Sequence, residues 1–322
     1  MKKILITGGA GFIGYHLARN LISRGYQVDL FDNFSRSIND LDLKAISNKP
    51  NLNIIQSDLL EEGALDILNQ DYHYIYHFAA IVGVKNVMKT PFNVLKNNVF
   101  MLIAALDFAK KNNNLNRFLF ASTSEVYAGT LKHFELPIPT PESTPLTLTN
   151  LENPRTSYML SKIYGEALCH QSTVPFTIIR PHNIYGPRMG MAHVIPELLN
   201  KAYQINNRKL EVFSLDHSRT FCYVDDATEM IRRAAESNIE NNTINIGSVN
   251  EEITIRELAK LIIRIVEKDL EIKEMSVTEG SPLRRCPDMN ETIKITGYTP
   301  KISMEYGIKK TFEWYKKYFF NN

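Results

Sequence analysis

The stretch KILITGGAGFIG, beginning at Lys3, sets Gly8, Gly9, Gly11 and Gly14 between a short apolar run and an amphipathic one. Lys3–Thr7 reads as a buried strand and Phe12–Ser23 as a helix. Glycines at that junction allow a tight turn and let a pyrophosphate approach the backbone with no Cβ in the way. The helix start then offers unpaired N–H groups and the positive end of its dipole to the phosphates. Asp32 closes the next apolar run, YQVDLFD, about 20 residues on, where a carboxylate accepts from ribose hydroxyls and repels a 2′-phosphate. Strand, glycines, helix, strand and acid in that order predict a dinucleotide site and favour NAD over NADP. Arg36 is the nearby residue that argues the other way.

The rhythm continues. LNIIQSD from Leu52, YIYHFAA from Tyr74, RFLFAS from Arg117 and PFTIIR from Pro175 are further apolar runs, with helical spacing over Pro91–Lys111 and Ser157–His170. Near-continuous apolar strands alternating with helices predict an α/β protein built on a Rossmann-type doubly wound parallel sheet. Pro137–Pro154 has no periodicity and reads as a long loop over the sheet edge. After Arg180 turn residues interrupt the pattern, as in GSPLRRCPDMNETI, and a last amphipathic helix spans roughly Ser303–Tyr318. The expected division is residues 1–180, with roughly 219–247 returning, as the NAD-binding domain. Residues 181–218 and 248–322 form a smaller C-terminal substrate-binding lobe.

The totals narrow the function. The chain has 322 residues, 44% hydrophobic and 22% charged, with a net charge of +2, ordinary values for a globular enzyme. No basic run points to nucleic acid. No apolar segment is expected to reach membrane-spanning length, and the short apolar start lacks the form of a secretory signal. Cys169, Cys222 and Cys286 show no paired spacing and read as reduced thiols, which implies a cytoplasmic protein. The eight histidines show no metal-ligand spacing, so no metal is expected.

Two clusters carry the chemistry. YMLSK places Tyr158 and Lys162 at i and i+4, on one face of a helix. A phenol with a pKa near 10 is a poor base at neutral pH, and an adjacent ammonium favours the phenolate. STSEVY, at the end of the RFLFA strand, sets Thr123, Ser124 and Glu125 side by side. A turn has use for the hydroxyls but not for the acid as well. His77 reads as a packed core residue rather than a base.

With these motifs the chain resembles the extended short-chain dehydrogenase/reductase family, in the branch that acts on nucleotide sugars. The resemblance runs nearly end to end, through TGGAGFIG, HFAA, STSEVY, YMLSK, RPHNIYGPR, RTFCYVDDA and RRCPD. It implies that Tyr158 takes the proton of a sugar C4 hydroxyl as NAD oxidises that carbon. Lys162 would hold the nicotinamide ribose and lower the tyrosine pKa, and Thr123 would hydrogen-bond the reacting oxygen. The implied cofactor contacts are Gly8, Gly11, Phe12, Ile13, Gly14, Asp32, Asn33, Asp58, Leu59, Ala79, Ala80 and Lys162. The implied substrate contacts are Lys85, Arg155, His182, Asn183, Arg219 and Arg285, with the nucleobase near Val212 or Phe213. The substrate would be a nucleotide sugar, UDP-linked first, GDP- or dTDP-linked otherwise. A homodimer through Pro91–Lys111 and Ser157–His170 is also implied.

Ser124 and Glu125 point past simple 4-epimerisation. A C4 ketone acidifies the C5 proton and lets a C6 carboxylate leave as CO2, and a nearby carboxylate can move protons at C5. STSE in this place is similar to UDP-glucuronate decarboxylases and nucleotide-sugar 4,6-dehydratases, and Arg155 and Arg285 match the former. Three departures stand against this: MLSK after Tyr158 looks like epimerases, His182 replaces the usual aromatic, and Ala128 replaces a glycine. Glu125 could instead be a structural acid paired with a loop arginine. UDP-hexose 4-epimerisation is the alternative reaction, and an NAD(H)-binding sensor or scaffold the non-enzymatic one.

Overall fold

The computed structural model describes residues 1–36, 40–278 and 281–320. Gly280, the first residue of the GSPLRRCPD run, lies outside them. The first half runs β1 (Lys3–Thr7), α1 (Phe12–Ser23), β2 (Gln27–Asp32), α2 (Leu41–Ser47), β3 (Leu52–Gln56), β4 (Tyr74–His77), α3 (Val84–Lys89), α4 (Pro91–Lys110), β5 (Arg117–Ala121), α5 (Ala128–His133), α6 (Pro154–Gln171) and β6 (Phe176–Pro181). The second half continues with β7 (Ile184–Tyr185), α7 (Val194–Gln204), β8 (Lys209–Phe213), β9 (Ser218–Arg219), β10 (Cys222–Tyr223), α8 (Val224–Glu236) and β11 (Asn242–Ile246). It closes with β12 (Ile253–Thr254), α9 (Ile255–Val266), β13 (Glu271–Met275), β14 (Arg284–Arg285), α10 (Asn290–Thr296) and α11 (Met304–Tyr315).

Seven parallel strands form one sheet in the order β11-β6-β5-β4-β1-β2-β3. Ile4, Leu5, Ile6, Tyr76 and Phe118 are all at most 1% exposed, because helices cover both faces and every side chain direction leads into a core. The strand order reverses at β1, so the connections leaving β1 and β4 diverge and open a crevice at their C-terminal ends. The glycine turn lies there, and so do the ends of β2, β4 and β5.

Several boundaries differ from expectation for local reasons. Helix α6 begins at Pro154, three residues before the periodicity suggests, because Pro154 occupies the first turn and Asn153 caps it by accepting from the Arg155 N–H. Helix α5 was not anticipated. It follows a 3-10 turn over Ser124–Tyr127, and a Cβ on its Gly129 would lie 1.8 Å from the Thr147 carbonyl, so only glycine lets the long loop close over it. Helix α4, at 20 residues, is long and apolar enough to cross a membrane by composition, contrary to expectation. One face of α4 is packed instead: Val94, Asn98, Met101, Leu102, Ala105, Leu106, Phe108 and Ala109 are buried.

The long loop is clasped rather than loose. Thr140 donates its N–H to Cys286 O (2.9 Å) and accepts from Asp288 N–H (2.8 Å), while Arg180 donates to Glu142 O (3.0 Å). After β6 the chain leaves the sheet, forms the β13–β8 pair and the β12-β9-β14 sheet, and returns once to add β11 beside β6.

Candidate active site

The glycine turn has the form of a phosphate cradle. Gly8 sits at φ +67°, and a Cβ there would lie 2.7 Å from Ala79 N, so the turn is pressed against the backbone that leaves β4. A Cβ at Gly14 would lie 2.6 Å from Gly8 O; the last glycine lets α1 meet the turn itself. Gly11 caps α1 without any side-chain hydrogen bond, which leaves the N–H groups around Phe12 and Ile13 for an anion. These features fit the pyrophosphate of a dinucleotide.

Asp32 is buried, accepting from Ala10 N–H at 3.0 Å and Phe34 N–H at 2.8 Å. It braces the turn from the end of β2. Asn33 donates to Asp58 (2.9 Å), whose other oxygen accepts from Leu60 N–H (2.9 Å), and Leu59 between them is 7% exposed. The ends of β2 and β3 are thereby joined where an adenosine would lie. Beyond Ala79 and Ala80, Asn98 of α4 clamps Ile81 through its N–H (2.7 Å) and carbonyl (3.1 Å); its neighbours Lys96 and Asn97 are equally polar, so the sequence did not single it out.

Tyr158 and Lys162 share the inner face of α6. Burial pushes the Tyr158 phenol up to about 12, and the negative Glu125 adds to this; a hydrogen bond with Thr123 and the positive Arg36 oppose it. Lys162 is 4% exposed, donates to Ala121 O at 2.7 Å and lies 5.9 Å from the Tyr158 ring centre. Burial lowers it to about 8. The ammonium donates to a carbonyl of β5 and stands over the Tyr158 ring, and Arg36 is a further cation acting on the phenol. His77 accepts or donates with Thr7 Oγ1 at 2.8 Å, and burial lowers it to about 3. It is a neutral packed residue under the site.

Glu125 and Arg285 meet. Arg285 Nη1 lies 3.3 Å from Glu125 Oε1, so the acid is paired with an arginine, as the structural alternative expects. Thr123 Oγ1 accepts from the Glu125 N–H at 3.2 Å, and Ser124 is 8% exposed. Arg219 stands opposite Arg285 in the β14–β9 register, but its guanidinium is occupied by Ser218 O, Leu283 O, Ser281 Oγ and Pro282 O. Burial, then the charge of Arg285, lowers it to about 10. It clasps the segment that carries Arg285.

Asn183, at φ +44°, donates to Thr220 O at 2.9 Å and keeps its amide oxygen for other partners. Arg155 and Lys85 are both exposed, on the first turn of α6 and on α3, and among the described residues no side-chain hydrogen bond or ion pair joins them to Glu125 or Arg285. Val212 is 1% exposed and belongs to the core, so it cannot stack on a base; Phe213 is exposed, with Lys201 Nζ 5.5 Å from its ring centre.

Behind Glu125 lies a buried polar network that sequence reasoning missed. Arg180 grips Glu166 through Nη2 at 2.6 Å and Nε at 2.9 Å, and donates to Tyr127 Oη at 2.7 Å. Ser122 also donates to Glu166. Tyr127 Oη donates to Asn245 Oδ1 at 3.1 Å, and His182 Nε2 lies 2.9 Å from the same oxygen. The available signal was a charged residue at each of two apolar positions: Arg180 ends PFTIIR, and Glu166 is one helical turn from Lys162.

A glycine cradle at the sheet's switch point, with a half-buried tyrosine and a buried lysine beside it, defines a Rossmann-type enzyme that works with a nicotinamide dinucleotide. Residues 4–247 match the NAD dependent epimerase/dehydratase family, and the chain belongs to that family; its cofactor is NAD. It is 32% identical over 332 residues to a UDP-N-acetyl-alpha-D-glucosaminuronate decarboxylase of Bacillus cytotoxicus, covering 98% of each chain. It is 31% identical to UDP-glucuronic acid decarboxylase 1 of Xenopus tropicalis, covering 98% of this chain and 72% of that one. Bovine dTDP-D-glucose 4,6-dehydratase is 30% identical, with 99% and 90% covered. Among solved structures, UDP-glucuronic acid 4-epimerase from Bacillus cereus in complex with NAD superposes with a TM-score of 0.83 at 26% identity, over 98% of this chain and 99% of that one. The protein is an NAD-dependent nucleotide-sugar-modifying enzyme.

Proposed function

We propose that the enzyme decarboxylates a UDP-linked hexuronic acid. The observation that supports this most is the Glu125–Arg285 pair beside Thr123 and Tyr158: a guanidinium able to bind a substrate carboxylate, next to a carboxylate able to move a proton. When bound, oxidised NAD supplies the two-electron acceptor for sugar C4 and a positive charge near the phenol. Tyr158 takes the C4 hydroxyl proton while Thr123 holds that oxygen. The product is a β-keto acid. Its C5–C6 bond breaks, CO2 leaves, and the electron pair enters an enolate conjugated to the C4 carbonyl. A proton then reaches C5 through Glu125, which recovers it from solvent, and C4 takes back its two electrons together with the proton held by Tyr158, so the ketone returns to an alcohol and a pentose nucleotide leaves. Arg285 exchanges its bond to Glu125 for the C6 carboxylate and returns to Glu125 as CO2 departs. Asn183 reaches the diphosphate, and Arg219 acts by holding the Arg285 strand.

Two relatives named as decarboxylases of UDP-linked sugars support UDP over dTDP. The test is incubation with NAD and UDP-glucuronic acid, UDP-N-acetylglucosaminuronic acid, dTDP-glucose or GDP-mannose, following CO2 and product mass. CO2 with a pentose nucleotide is the expected result. A 4-epimer that keeps its carboxylate, or a loss of water from dTDP-glucose without CO2, would replace this reading.

The subunits pair as a homodimer through α4 and α6 in this reading. Phe92, Phe100 and Ile103 on α4 and Tyr164 on α6 are 72%, 53%, 37% and 49% exposed, apolar side chains that a second subunit would cover. Phe100→Glu would then give monomers in analytical ultracentrifugation. The division into an NAD-binding part, residues 1–180 and roughly 219–247, and a substrate lobe is proposed with it. Three buried unpaired cysteines support a reducing, cytoplasmic setting.

A further inference from the structure

The glycine turn is held at Ala10 from two distant parts of the chain. Asp32, at the end of β2, accepts from the Ala10 N–H at 3.0 Å. Arg188 Nη2 donates to the Ala10 carbonyl at 3.2 Å. Arg188 follows β7, where the chain has left the central sheet, and its side chain is 4% exposed. Its Nε lies 3.0 Å from Asp40 Oδ2, and its guanidinium carbon stands 4.1 Å from the centre of the Tyr15 ring. Asp40 caps α2 by accepting from the Leu43 N–H, and Tyr15 belongs to the first turn of α1. The guanidinium therefore joins the glycine turn to the starts of both helices.

The segment that carries Arg188 is itself fixed. His16 Nε2 donates to Pro187 O at 2.9 Å, and Tyr315 of α11 donates to Met189 O. Arg188 has φ +68°, a conformation that few non-glycine residues keep without support from their surroundings. Contacts on both sides of it hold the guanidinium against the turn. At Ala10 the consequence is geometric. A peptide group is planar, so fixing the Ala10 carbonyl also fixes the Gly11 N–H, which donates to Gly8 O at 3.2 Å. With Asp32 on the preceding peptide, both peptide planes at Ala10 are pinned. Ala10 stands between two glycines, where an unheld peptide rotates with little steric resistance. It lies just ahead of the Phe12 and Ile13 N–H groups that are left for the pyrophosphate.

We propose that Arg188 is a positioning residue for NAD: it holds the Ala10 carbonyl so that the glycine turn keeps the shape that receives the pyrophosphate, and thereby sets NAD affinity from a segment beyond β6. Arg188 acts through the turn rather than on the dinucleotide. Asp32 by itself pins only the Gly9–Ala10 peptide. Without the guanidinium, the Ala10–Gly11 peptide loses its hold on the carbonyl side, and ordering it again costs part of the binding energy of NAD. The role concerns NAD alone and holds for any reaction at the sugar.

The test is equilibrium binding of NAD, ADP-ribose and adenosine to the full chain freed of bound nucleotide, in the parent and in Arg188→Met. Displacement of NADH fluorescence reads all three ligands, and circular dichroism with a urea titration reads the fold. Arg188→Met keeps the length of the stem and removes the donors. It is expected to weaken NAD and ADP-ribose alike by about 10- to 100-fold, and adenosine, which has no phosphate, by less than about twofold. A role in stability alone lowers the urea midpoint and leaves the three affinities of the folded protein in place; that result would overturn the proposal. So would an equal loss of all three ligands, which puts the effect at α2 and the adenosine end. A loss of NAD without ADP-ribose puts it at the nicotinamide and overturns the proposal as well. Should Arg188→Met not fold, Arg188→Lys is measured, which keeps a charge beside Asp40 but not the fork that spans Asp40 and Ala10 O. NAD and ADP-ribose should then weaken by at least about threefold with adenosine unmoved, and unchanged NAD affinity would refute the role.

Discussion

Glu125 and Arg285, 160 residues apart in the chain, form an ion pair at 3.3 Å at the point where the β5 turn meets β14. Glu125 is 48% exposed, so the pair is worth at most about 1 kcal/mol to stability. Its importance is chemical. Glu125→Gln should leave the urea midpoint nearly unchanged and NAD affinity intact, while CO2 release drops by about 10²–10⁴. Turnover within tenfold of the parent would remove Glu125 from the mechanism.

Tyr158→Phe should lower turnover by about 10²–10⁴ as well, again with an unchanged fold. Because burial holds the phenol at about 12, NAD-free protein should show no tyrosinate absorbance from Tyr158 below about pH 11. A difference spectrum between parent and Tyr158→Phe across pH 7–11 checks this.

The buried Glu166–Arg180 pair and the exposed Glu197–Lys201 pair have the same N–O distance, 2.6 Å. Their energetic roles should diverge. Glu166→Gln leaves a buried guanidinium short of its counter-charge and should cost about 3–5 kcal/mol. Glu197→Gln should cost less than about 1 kcal/mol. Denaturant titrations of the two variants measure the contrast, and similar losses would refute it.

Acid should unfold this protein in part through two histidines. Burial lowers both His77 and His182 from 6.5 to about 3, so between those values the unfolded chain binds protons that the folded one does not. The stability they provide is full above about pH 6.5 and is lost as pH falls toward 3, at about 1.4 kcal/mol per pH unit for each group. Stability curves of a His77→Phe or His182→Phe variant should be flatter over that window. A slope equal to the parent's would show that neither ring stays neutral.

Gly8→Ala combines φ +67° with a Cβ 2.7 Å from Ala79 N. It should cost about 1–3 kcal/mol and weaken NAD binding more than Gly25→Ala. Gly25 also has a positive φ, but its Cβ would meet nothing within 4 Å. Equal NAD affinity in the two variants would refute the cradle.

The local chemistry of the chain determined the sheet, the glycine cradle and the Tyr158–Lys162 face, because each depends on residues within one or two turns of each other. Strand burial follows from apolar runs, and the cradle from glycines at fixed spacing. Local pattern also placed Glu125 in a reactive turn, but it left the partner open, since Arg285 reaches it only after the chain has crossed the sheet and returned. The same limit hid the other long-range relationships. Arg219 became a clasp because Leu283 and Pro282 bring their carbonyls to it, and Val212 went to the core because β8 turned that face inward. Lys162 gave one of its three N–H groups to the Ala121 carbonyl at the end of β5. His182 acquired its tautomer from Asn245, whose orientation is set by Thr140 and Asp288. Hydrogen-bond direction and burial are properties of the assembled neighbourhood, so only the tertiary structure could decide them.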